Sequence, residues 1–88
     1  MTTVEATKQL EEEGYRLHTW SNGPNFSYAA HDHPYQKAII VLAGSIRFDL
    51  PGGDSHELGV GDRLNLPAGT VHSALVGPRG VTCLEGQK

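Results

Sequence analysis

Five histidines occur in the 88-residue chain, and two of them, His31 and His33, lie one residue apart in the stretch HDHPYQK. Side chains on an extended strand alternate between faces, so these two imidazoles project from the same side. A third, His72, opens another extended run directly after the turn-forming residues Pro67-Ala68-Gly69-Thr70-Val71. Imidazole is a good ligand for Zn, Ni, Fe and Cu and a weaker one for Mn. Three imidazoles with an open position suit a site where a further molecule binds, rather than a closed structural site. A His-x-His pair by itself is weak evidence, because histidines are common on strand faces and in turns.

Lys37 complicates the picture. It lies four residues after His33, on the same face of an unbroken strand. An ammonium cannot coordinate a metal and repels a nearby dication. Two roles remain open for it. It could hold a small anion at the mouth of an apolar pocket, with Tyr35 or Tyr28 supplying a ring or hydroxyl. Equally, it could pair with a nearby acid or run its apolar stem out to solvent. The other reactive residue types read as structural: His18 and His56 as surface residues, Cys83 and Trp20 as core, Asp62 as a turn carboxylate, and Arg47 with Asp49 as a solvated pair.

The rest of the sequence must position these groups. Its length allows one small domain, and a domain this small gains from a partner subunit or a closed sheet, so a homodimer is expected. The formal charge of −3, with no basic run, argues against nucleic acid as a partner. The longest apolar run, Ala38 to Ala43, is far short of the roughly 20 residues that span a bilayer. No signal-peptide pattern opens the chain. With its single cysteine, it is expected to be cytoplasmic and without a disulfide.

Residues 1–14 read as a short helix, with Thr2 and Glu5 as a capping box and Gly14 as the left-handed terminator. Residues 15–88 read as one β domain. Eight short runs are separated by Gly, Pro, Asn and Asp: 15–20, 26–31, 37–42, 46–50, 55–58, 63–66, 72–76 and 81–84. Pro51-Gly52-Gly53-Asp54 reads as a hairpin connection. In the third run both phases are apolar, Ile39 and Val41 on one face and Ala38, Ile40 and Leu42 on the other. One face is therefore core, and the second meets the helix or a partner subunit.

The spacing of His31, His33, Lys37 and Gly44 resembles the first motif of the cupin superfamily, with lysine where the family has a glutamate ligand. Gly61, Pro67, Gly69 and His72 match every spacing of the second motif. The resemblance covers about half the chain. It implies an all-β fold, a small jelly-roll β-barrel whose motif side chains point into its mouth. It also implies a divalent transition metal (Zn, Ni, Fe, Mn or Cu) on His31, His33 and His72, in a protein acting on a small molecule as dioxygenases and isomerases of the family do. Loss of one anionic ligand disfavours Mn more than Zn, Ni or Cu. Asn25 stands where the first motif opens with glycine, which suggests a shifted turn, and Val76 replaces a frequent asparagine. Lys37 resembles the lysine of a subgroup of small cupins that carry His-x-His-Pro-Tyr followed by Lys. The alternative expectation is a metal-free module that binds or senses a small anion through Lys37.

Overall fold

The capping box forms as the sequence predicts. The Thr2 hydroxyl accepts the Glu5 N–H at 3.1 Å and the Glu5 carboxylate accepts the Thr2 N–H at 2.9 Å, opening helix α1 (Thr3–Glu12). Gly14 ends it at φ +88°. The computed structural model describes residues 2–88; Met1, the first residue of the expected helical segment, lies outside them.

Six strands follow among the described residues: β1 (Arg16–Asn22), β2 (Ser27–His31), β3 (Lys37–Asp49), β4 (Ser55–Leu58), β5 (Arg63–Leu66) and β6 (His72–Gln87). They are fewer than the eight predicted runs because two suspected breaks lie inside strands. Gly44-Ser45 and Gly77 to Gly80 read as turns by composition, but they lie inside β3 and β6 at a register shift, with Gly44 paired to Val81 and Ile46 to Val76 on either side of it. Gly44 is required at this kink. It adopts φ +73°, and a side chain there would collide with the Gly80 carbonyl.

β3 and β6 pair along most of their length and pass through two layers. In one layer β1, the C-terminal half of β6, the N-terminal half of β3 and β5 lie side by side. In the other the order is β2, the N-terminal half of β6, the C-terminal half of β3 and β4. This is an all-β jelly-roll architecture with one short helix, although the hydrogen-bonded sheet does not close into a complete ring.

The kinks change which residues face inward. On β3 the odd residues Ile39 and Val41 enter the main core before the kink, and the even residues Ile46 and Phe48 enter it afterwards. On β6 the even residues Ala74 and Val76 enter first, then the odd residues Val81 and Cys83. The second face of the N-terminal half of β3 is covered by α1. Ala6, Leu10 and Tyr15 pack there with Ala38, Ile40 and Leu84. Asn25, which stands where the family pattern has glycine, takes the left-handed conformation at φ +61°, one that asparagine tolerates better than most residues. No helix among the described residues is long and apolar enough to cross a membrane.

Candidate metal centre

Three elements converge at one end of the interior. His31 closes β2, His72 opens β6 opposite it in the ladder, and His33 follows in the connection to β3. The three residues each offer a ring nitrogen within 4.8 Å of the others. Ring centroids are 4.4 Å apart for His31 and His72, 4.9 Å for His31 and His33, and 5.5 Å for His33 and His72.

The outer nitrogens are occupied. His31 Nδ1 lies 2.7 Å from the Ala29 carbonyl and His72 Nδ1 lies 2.9 Å from the Thr70 carbonyl. A carbonyl only accepts, so both Nδ1 atoms carry the proton and both Nε2 atoms present a lone pair. His33 Nδ1 is 3.2 Å from the Tyr35 hydroxyl, with the two rings stacked at 4.9 Å. The Nε2 atoms of His33 and His72 are buried and have no hydrogen-bond partner among the described residues. Buried polar atoms are normally satisfied. Two unspent nitrogens beside a third imidazole fit a metal ion that accepts three neutral nitrogen donors.

Burial disfavours the charged form of two of these rings, His33 and His72. Burial lowers the pKa of His72, opposed by the Thr70 hydrogen bond and reinforced by His31, Lys37 and His33. Burial, with Lys37 and His31, lowers that of His33.

Lys37 is buried at the same end of the interior, and its ammonium lies 3.0 Å from Glu85 Oε1. The pairing realises one of the two roles left open for the lysine. Glu85 accepts the Trp20 indole N–H at 3.0 Å on Oε1 and the Gln87 amide at 2.8 Å on Oε2, with His18 Nε2 at 3.5 Å. Burial alone would raise its pKa, but Gln87, Lys37 and Trp20 outweigh that and hold it below the usual carboxylate range. Glu85 was not singled out in the sequence. Its signal was faint: a charge in the inward phase of Val81 and Cys83, visible only once β6 is registered against β3.

A cavity of about 80 Å³ lies between Lys37 and the imidazoles, lined by Trp20, Tyr28, Ile46, Phe48 and Ala74 besides His31 and His72. Tyr28 contributes its ring; its hydroxyl donates to Asn22 Oδ1. Tyr35 sits on the far side of His33, where burial and then Glu85 raise its pKa. The remaining residues are structural. Cys83 is fully buried with its thiol pushed up to about 12 by burial, Asp62 accepts the Gly59 N–H at 2.8 Å, and His56 is exposed. Trp20 is half-buried against the core, and Arg47 forks onto Asp49 at 3.1 to 3.3 Å.

Residues 18–76 match the family model described as "Cupin domain". The chain belongs to the cupin family. Among solved structures similar to this cupin is the DMSP lyase DddQ from Ruegeria pomeroyi DSS-3, at 25% identity and a TM-score of 0.76 over 82% of the chain. The polyketide cyclase RemF from Streptomyces resistomycificus is similar at 29% identity and 0.72 over 88% of the chain. A cupin-2 domain containing protein from Shewanella frigidimarina, at 15% identity and 0.68 over 81%, shares the fold. The match spans 36% of the lyase, 58% of the cyclase and 67% of the Shewanella protein. No curated protein matches the chain in sequence.

Proposed function

We propose that this cupin holds one divalent transition metal through the Nε2 atoms of His31, His33 and His72, and acts on a small molecule bound in the adjoining cavity. The observation that carries the reading is the pair of buried, partnerless Nε2 atoms on His33 and His72 beside His31. A metal held there would supply Lewis-acid polarisation or activation of oxygen.

The protein's own residues prepare the site. The Ala29 and Thr70 carbonyls hold the Nδ1 protons of His31 and His72, and the Tyr35 hydroxyl bonds to His33 Nδ1, which together fix the ring orientations. Ile46 and Phe48 wall the cavity with apolar surface, which restricts water beside the imidazoles. Lys37 stands where the family has its glutamate, so the donor set is three neutral nitrogens. Zn, Ni, Fe or Cu suits it better than Mn. Two similar structures are named as enzymes, a lyase and a cyclase, which supports small-molecule chemistry in a barrel of this kind.

The test is the metal content of the purified protein and of His72→Ala after growth with added Zn, Ni, Fe and Mn. About one equivalent in the wild type, lost in the variant with the fold intact, is expected. Equal content in both, or none in either, rejects the proposal.

A further inference from the structure

Counting the polar groups that line the cavity narrows what can bind there. The Trp20 N–H is given to Glu85 and the Tyr28 hydroxyl proton to Asn22. Glu85 takes donors on both oxygens, from Trp20, Lys37 and Gln87, so its carboxylate is occupied and turned to the lysine side. Lys37 is the opposite case. An ammonium has three N–H donors, and among the described residues Glu85 is its single hydrogen-bonding or ion-pairing partner. Its side chain is only 10% exposed, so bulk water does not readily satisfy the remaining two. A buried donor without an acceptor is costly, and Lys37 lines the same cavity as His31 and His72.

We infer that the ligand is a small carboxylate-type anion, anchored by Lys37 and reaching the imidazoles with its other end. The inference rests on the reading of the three histidines as a metal site for its orientation, and on Lys37 alone for its charge. The available donors are cationic, so the ligand must bring acceptor oxygens and negative charge; a cationic ligand would face both the ammonium and the metal. At about 80 Å³ the cavity is well below the roughly 300–1,000 Å³ of pockets that enclose drug-sized ligands, which favours a compact anion such as propionate over a nucleotide. Lysine at the usual glutamate position therefore removes a metal ligand and, in the same side chain, supplies the substrate anchor.

Propionate and its neutral isostere propionamide distinguish the outcomes, by titration of backbone amide chemical shifts on zinc-loaded and on EDTA-treated protein. Propionate should bind both forms, and propionamide at least tenfold more weakly. Lys37→Met should weaken propionate at least tenfold. Because that variant strands Glu85, Lys37→Met/Glu85→Gln is measured beside it and should show the same loss with the fold preserved. The inference is overturned if the wild type binds no propionate, if propionamide binds equally well, or if the double variant keeps wild-type affinity. Retained zinc with Lys37-independent propionate binding removes this inference and leaves the metal reading standing. Lys37-dependent propionate binding in a protein that never takes up zinc removes the metal reading and leaves this one.

Discussion

The two faces of the N-terminal half of β3 are equally buried and chemically opposite. Ala38 and Ile40 lie under Ala6, Leu10 and Tyr15, and the packed surface of that layer is apolar except for the Tyr15 hydroxyl, which accepts the Gln36 amide at 3.1 Å. Ile39 and Val41 begin a core that ends, one residue before Ile39 in the same phase, at Lys37, with Glu85 and the three histidines beside it. Burial therefore does not identify function in this molecule. What separates the faces is how the unsatisfied polar atoms are grouped: α1 leaves one isolated amide oxygen, Gln9 Oε1, whereas the inner side gathers His33 Nε2, His72 Nε2 and two lysine donors at one end of the core.

The contrast predicts which substitutions damage fold and which damage binding. The largest effect is expected from Leu10→Ala, at about 2–5 kcal/mol of stability. Zinc uptake by the fraction that remains folded should be unchanged; loss of zinc in folded protein would show that the two faces are coupled. On the inner face, Lys37→Glu alone would place two buried carboxylates together and cost stability. Lys37→Glu/Glu85→Gln leaves one carboxylate in the family's ligand position, and zinc affinity by competition with a chelator should rise more than tenfold. A flat affinity would mean that residue 37 does not face the metal.

Tyr35→Phe keeps the ring stacked on His33 and removes the hydrogen-bond partner of its Nδ1. Zinc affinity should fall about tenfold while thermal stability stays close to wild type. The smallest effect concerns pH. His33 and His72 have folded pKa values below the ordinary 6.5, so the unfolded chain takes up protons first. Stability of the metal-free protein is then fully present above about pH 6.5 and declines as pH falls through the lowered folded values. His72→Phe should flatten part of that decline in urea titrations at stepped pH.

Much of this was legible in the chain. The Thr2 and Glu5 cap, the Pro51 to Asp54 hairpin, both apolar phases of β3 and the spacing from Gly61 to His72 are local patterns, and each formed as read. Local patterns failed where the decision was made across strands. Gly44 and Gly77 to Gly80 look like turns until β3 and β6 are seen pairing on both sides of the kinks. Glu85 looks like a polar residue near the end of a strand until pairing sets it opposite Ile39 and beside Lys37. Its partners Trp20 and Lys37 lie 65 and 48 positions earlier in the chain, so no short-range rule could join them.

The kinks at Gly44 and in Gly77 to Gly80 also give the sheet something like a reading frame. Before Gly44, odd numbers face inward, and after it even ones do; β6 runs the opposite sequence, which is how His72 and Glu85 come to share one interior. Substitutions between Leu42 and Ser45 leave that count intact. Removing a single residue there would take away the extra residue that makes the switch, so Ile46 and Phe48 would face inward only on a strand that had lost its kink. For this short segment, the number of residues matters more to the site than nearly all of their identities.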